Sequence, residues 1–156
     1  MTDIKGIWLF ANNIIRSSRR MVNEGLNPLG LNSAEGNILL HLFTHNHGVR
    51  QEDIVEQLDI SKPAVSRALE SLEKKGYVSR EKDSSDRRAS RVLLTGKAQD
   101  IKPEVEQVYN KVYSIAAQGI SEEEARFFIN IFCRVSENFS GARPVNKVRG
   151  GRIDVE

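Results

Sequence analysis

Between Gln51 and Thr95 short apolar-periodic runs alternate with residues that stop them, and this punctuation leaves little freedom in the choice of fold. Gln51 to Leu58 places Ile54, Val55 and Leu58 on one helical face. Asp59-Ile60 is a tight turn. Ser61 stands where an N-cap belongs. Pro63 falls in the first turn of a helix from Lys62 to Lys75, where its missing N–H breaks no hydrogen bond. Gly76 ends that helix. Tyr77 to Glu81 reads as a strand, Lys82 to Ser90 as a charged, serine-containing turn, and Arg91 to Leu94 as a returning strand. Two helices joined by a short turn and followed directly by a hairpin predict a helix-turn-helix with a wing.

The flanks are helical. Over residues 3–22, Ile4, Ile7, Trp8, Ala11, Ile14, Ile15 and Met21 recur at three- and four-residue steps, with Arg16, Arg19 and Arg20 on other faces. Asn23 to Gly30 reads as a loop. Asn32 or Ser33 caps a second helix that buries Ile38, Leu39 and Leu42 and runs out at Thr44–Gly48. Residues 97–118 form a long helix with the stripe Ile101, Val105, Val108, Val112 and Ile115, kinked or delayed by Pro103. Ser121-x-x-Glu124 is a capping box for a last helix to about Asn138, with Phe127, Phe128, Ile131, Phe132 and Val135 apolar. The expected fold is mainly α with a small β-hairpin wing. It forms one domain over residues 1–139, with the winged lobe at about 32–95 and terminal helices at about 3–22 and 97–138. A basic tail over 140–156 has no periodicity and is expected to be flexible. The terminal stripes offer more apolar surface than so small a lobe covers, which predicts a homodimer.

From Ser61 to Lys97 ten basic residues face five acidic ones, so this segment carries about +5 while the whole chain carries +2. A local basic surface on a near-neutral chain fits a nucleic-acid partner; a solvated charged face is the other reading of the same residues. No apolar run approaches the ~20 residues of a membrane span, and no secretory leader is evident, so a soluble cytoplasmic protein without a membrane partner is expected. Cys133 is the single cysteine, which excludes an intrachain disulfide. It falls on the apolar side of the last helix, where packing is the expected role. No nucleophile–base pair, glycine-rich phosphate loop or paired carboxylates occur at meaningful spacing, so neither an enzyme nor a cofactor is expected.

Three motifs and the start of the last helix resemble the MarR family. Leu31-x-x-x-Glu35-x-x-Ile38-Leu39-x-x-Leu42 is close to its second helix, with Glu35 where Gln is common. Ile60-Ser-Lys-Pro-Ala-Val-Ser-Arg67, followed by Leu72-Glu-Lys-Lys-Gly-Tyr-Val78, is similar to its recognition helix and first wing strand. Asp86-Arg87-Arg88-x-x-x-Val92-x-Leu94-Thr95 is similar to its wing, and Ile120-Ser-Glu-Glu to the start of its last helix. The resemblance spans about residues 4–139. It implies a transcription regulator that binds double-stranded DNA as a homodimer at a palindromic operator, in the usual case as a repressor released by a small effector. It also places Arg88 in the minor groove, with Asp86 holding the arginine side chain and Arg87 on phosphate.

Helical geometry adds the groove-facing residues. With Val65, Ala68, Leu69 and Leu72 inward, Lys62, Pro63, Ser66 and Arg67 turn outward. Arg67 can donate a bidentate pair to guanine, while Ser61, Lys62 and Ser66 suit phosphate. Ser61 can equally be a cap alone and Lys62 a solvated lysine. The resemblance implies an aromatic or anionic effector; Trp8, Phe10, Arg16 and His41 either line its pocket or are core and solvated residues. His41 and His45 share a helix face as metal pairs do, but no further ligand cluster accompanies them, so no metal is expected. A winged helix that binds only proteins is the alternative. It leaves the arginines on both helix and wing without a purpose.

Overall fold

The computed structural model describes residues 4–45, 47–86 and 88–142. The chain divides into two units, Met1–Val112 and Tyr113–Glu156.

In the first unit, α1 (Ile4–Leu26) leads through a 3-10 turn (Asn27–Leu29) to α2 (Ser33–Phe43). A two-residue strand β1 (Val49–Arg50) precedes α3 (Gln51–Leu58) and α4 (Lys62–Lys74), with Asp59 left-handed at the turn between them (φ 49°). The hairpin β2 (Val78–Lys82) and β3 (Ser90–Leu94) follows, then α5 (Gly96–Asp100) and α6 (Lys102–Ala116). The sheet is antiparallel in the order β1-β3-β2, with Arg50 opposite Arg91 and Arg80 opposite Val92. One core joins these elements: Leu26, Ile38, Leu39, Ile54, Val65, Leu69, Leu72, Val92, Ala98 and Val105 are all fully buried. The expected winged helix-turn-helix architecture is present.

Four features differ from the sequence reading. The residues read as a loop from Asn23 are helical to Leu26, because Val22 and Leu26, four apart, both enter the core. Gly25 suits this last turn for a packing reason: a Cβ there would meet Val108 Cγ1 at 2.6 Å. β1 makes a third strand. The helix expected over 97–118 is two, broken at Ile101, with Pro103 in the first turn of α6, where its missing N–H is harmless. On α6 the buried residues are Val105, Tyr109 and Val112, and the Tyr109 hydroxyl donates to Asn37 Oδ1 at 2.7 Å.

The C-terminus of α4 is closed by Gly76 in the left-handed region (φ 78°). The Tyr77 N–H reaches Leu72 O and the Gly76 N–H reaches Glu73 O, a Schellman arrangement with Leu72 and Tyr77 both buried. Beside it Lys75 Nζ donates to Glu35 Oε1 (2.6 Å) and to Gly30 O (2.8 Å). Glu35 is 1% exposed and completes a capping box with Asn32 at the start of α2. Burial alone would push its carboxyl up; the hydrogen bonds of Lys75, Ser71 and Asn32 outweigh that and hold it below the ordinary range.

In the second unit α7 (Glu122–Ala142) starts at the expected capping box. Ser121 N and Oγ donate to Glu124 Oε2, and Glu124 N donates back to Ser121 Oγ. The helix continues past Asn138, so Ser140–Ala142, assigned to the tail by the sequence reading, are helical; residues 143–156 lie outside the described residues. Phe127, Phe128, Ile131, Phe132, Val135 and Phe139 are exposed in the single chain, and so is Cys133, which was expected to pack.

Glu35→Ala removes the cap acceptor and strands Lys75. The free energy of unfolding in urea should fall by about 2–4 kcal/mol, and Glu35→Gln, which keeps an acceptor for Asn32, should lose roughly half as much. An unchanged midpoint in both variants would show that the pair holds nothing.

Candidate nucleic-acid interface

Helix α4 is two-faced. Val65, Leu69 and Leu72 are fully buried and Ala68 nearly so. Ser61, Lys62, Pro63 and Arg67 are exposed on the opposite side, and Ser66 is half-buried between them. Ser61 occupies the N-cap position with extended backbone, yet its side chain makes no capping hydrogen bond; Pro63 and the Val65 N–H to Ser61 O bond start the helix instead. The Ser61 hydroxyl is therefore not consumed by a cap.

The wing is built from the hairpin ends. Asp86 and Arg88 are both exposed at its tip. The Asp86 carboxylate accepts the main-chain N–H of Arg88 (Oδ1 to N, 2.9 Å), and Asp86 O accepts the Ala89 N–H at 3.0 Å. The turn thus fixes the Arg88 backbone, where the family resemblance implies a hold on the side chain. Arg87 lies outside the described residues.

Two residues that hold the wing, Asp83 within it and Arg50 in β1, escaped the sequence reading. Asp83 is only 3% exposed, and its carboxylate accepts from Arg50 Nε (2.7 Å) and from the N–H and hydroxyl of Ser85 (2.8 and 2.6 Å). The Ser85 and Arg50 hydrogen bonds hold its carboxyl far below the ordinary range. The Asp83-Ser84-Ser85 order is a local signal for such a turn. Arg50, thirty-three residues away, gives no local signal at all.

The residues considered for an effector are scattered. Trp8, Phe10 and Arg16 are exposed on α1. His41 is half-buried near the end of α2, with Nε2 buried and without a hydrogen-bond partner. Its ring lies 4.4 Å from that of His45, and burial together with the His45 charge pushes its pKa down. A cleft of about 420 Å³ in the first unit is lined by Met21, Glu24, Gly25, Val108 and Lys111 among others; one of about 620 Å³ in the second unit is lined by residues from Tyr113 to Ile129. None of the four candidates lines either cleft. Among the described residues no group of three His, Cys, Asp or Glu could hold a metal ion, and no helix is long and apolar enough to cross a membrane.

The MarR family model matches residues 29–89, from the 3-10 turn to the wing. A MarR transcriptional regulator from Methanosarcina mazei Go1 superposes with a TM-score of 0.78 at 25% identity, over 89% of this chain and 99% of that one. A MarR family transcriptional regulator from Listeria monocytogenes, complexed with a 26mer DNA, superposes with a TM-score of 0.77 at 24% identity, over 91% and 92% of the two chains. A mutant MarR from E. coli complexed with operator DNA gives 0.76 at 20% identity, over 85% and 95%.

Acid should weaken this lobe in a defined window. Glu35 and Asp83 both have carboxyls below their unfolded values of 4.5 and 3.8. The unfolded state therefore binds more protons as the pH falls, so their stabilisation is complete above about pH 5 and is lost as the pH drops through the folded values. Urea midpoints should decline modestly between pH 7 and about 5, where the lowered His41 pKa makes the unfolded state bind more protons, and fall more steeply below about 4, less so in Asp83→Asn.

Proposed function

This chain belongs to the MarR family of winged-helix transcriptional regulators, a family of regulators rather than enzymes, and we propose that it reads a palindromic operator in double-stranded DNA as a homodimer. One observation carries the reading: a single packed lobe presents Lys62, Pro63 and Arg67 from α4 and Arg88 from the wing to solvent, while the other face of α4 is closed into the core. A helix of this width enters the major groove with its first turns at the base edges. Arg67 reads guanine; Ser61, Lys62 and Ser66 meet phosphate or sugar; Arg88 enters the adjacent minor groove on a turn shaped by Asp86, and Arg87 meets phosphate. The relatives solved with DNA support the partner class.

The dimer forms through the terminal helices. Support comes from apolar side chains that α1 and α7 each leave in water, among them Ile7, Trp8, Phe10 and Ile14 on the first and Phe127, Phe128 and Phe132 on the second. The protein works in the cytoplasm as a repressor. A small aromatic or anionic effector releases it, with Trp8, Phe10, Arg16 and His41 as candidate contacts that line neither cleft of the single chain. Trp8 is the single tryptophan, so quenching by an aromatic carboxylate reports on that neighbourhood directly.

Selection of bound duplexes from random DNA should yield a palindrome. Arg67→Ala should then cost about 1–3 kcal/mol on the selected site and far less on random duplex. Lys62→Ala should weaken both alike and flatten the slope of log affinity against log salt by about 0.9 per contact, hence nearly twice that per dimer. Absence of any salt-dependent binding would favour the protein-interaction alternative, and a monomer in sedimentation at micromolar concentration would remove the palindrome.

A further inference from the structure

Lys82, Ser84, Ser85 and Asp86 are all exposed in the wing turn, yet Asp83 among them is buried. A carboxylate taken out of water is tolerated only when it is paired and hydrogen-bonded, and Asp83 is filled from two directions. Ser85 supplies its main-chain N–H and hydroxyl to Oδ1, and Arg50 supplies Nε to Oδ2. Arg50 Nη2 donates in turn to Ser85 Oγ at 3.0 Å, so the three side chains form a closed set. The Asp83 N–H donates to Ala89 O at 3.0 Å and closes the base of the turn that carries Arg88.

Arg50 is not part of the hairpin. It is the last residue of β1, opposite Arg91 of β3, and its backbone is the N-cap of α3, the first helix of the helix-turn-helix. One side-chain set therefore ties the start of the helical pair to the loop that projects the wing tip. A hairpin needs no such tie to close, since its ladder already runs from Val78–Leu94 to Lys82–Ser90. An ion pair with one partner buried and the other, Arg50, 40% exposed adds little net stability over apolar packing; what it can add is a preferred geometry.

We propose that Arg50 and Asp83 are positioning residues that set the direction of the wing tip relative to α4, and with it the offset between the groove contacts of helix and wing. The consequence for affinity rests on the DNA reading given above; the consequence for the wing itself does not. Asp83→Asn discriminates the mechanism by sign. Removing a negative charge from a DNA-facing turn tightens binding to every duplex if charge alone matters. Loss of positioning weakens binding, and does so where the wing works: about tenfold on a site with A·T-rich flanks, and less than about twofold on random duplex.

The experiment pairs two readouts on the full chain. Fluorescence anisotropy with A·T-flanked, G·C-flanked and random duplexes measures flank preference for the unmutated protein, Asp83→Asn and Arg50→Lys. Limited trypsin digestion measures the wing directly, through cleavage after Lys82 and Arg88. The expected result is loss of flank preference together with wing cleavage accelerated about tenfold in Asp83→Asn, with Arg50→Lys intermediate because lysine keeps the charge but not the fork. Unchanged cleavage, or tighter binding at every flank, overturns the proposal. Accelerated wing cleavage in a protein that binds no duplex supports the tie and removes the DNA reading instead.

Discussion

Lys75 sits where three elements meet. It is the C-cap of α4, its ammonium reaches the Gly30 turn, and its ion pair with Glu35 lies at the N-terminus of α2. Its own carbonyl accepts Lys97 Nζ at 2.7 Å, and the neighbouring Gly76 carbonyl accepts the Thr95 hydroxyl at 2.7 Å. The end of the recognition helix is thus joined to α2 on one side and to the exit of the wing on the other. The desolvation cost falls mainly on Glu35, because the Lys75 side chain keeps 35% of its exposure. The capping box offsets part of that cost, because the Asn32 N–H donates to the second carboxylate oxygen at 2.9 Å. What the outer face of α4 offers depends on this inner anchorage, since a helix held at its far end cannot roll in a groove.

The same logic sorts the charges of the basic segment. Three of its five acids have partners in the lobe: buried Asp83 with Arg50, exposed Asp86 with the Arg88 main-chain N–H, and exposed Glu73 with Arg80 at 3.6 Å. Glu70 and Glu81 stay exposed. Cations at Lys62, Arg67 and Arg88 stand in water, while of the five acids of this segment only Asp83 is buried. Acid is expected to weaken the lobe because protonation acts on carboxylates whose partners define its corners.

Legibility in the sequence followed the range of the interaction. The segment from Gln51 to Thr95 was readable because its signals are local: Pro63 in a first turn, Gly76 in a Schellman stop, Thr95 accepting from Ala98 N as the cap of α5. Arg67 and its buried opposites on α4 followed from the helical period alone. What failed was long-range. Asn23 and Gly25 look like helix breakers, and only the burial of Val22 and Leu26 with close packing on Val108 keeps the helix going. β1 is too short for a period and exists through β3. Tyr109 was left out of the α6 stripe, yet it is buried with its hydroxyl on Asn37, while Ile115, counted in that stripe, is 46% exposed. Glu35–Lys75 and Arg50–Asp83 join residues forty and thirty-three apart, which no spacing rule reaches.

Cys133 marks where a single chain stops being the right unit of argument. The helical pattern of α7 assigns it to an apolar face, and apolar faces are usually interior. In one chain that face is solvent-exposed, with Phe127 at 68% and Phe128 at 54%. At roughly 25 cal/mol per Å² of apolar surface, several phenylalanines left in water are a substantial driving force for association. The proposed second copy converts the exposed stripe into the interior that the pattern implies. Such a contact is isologous and carries a two-fold axis. In such a dimer the axis would relate the two α4 helices, and major grooves on one side of a duplex recur about every 34–36 Å. In the proposed dimer the apolar residues of the terminal helices, rather than any base contact, would set the operator spacing that Arg67 and Arg88 of each copy are proposed to read together.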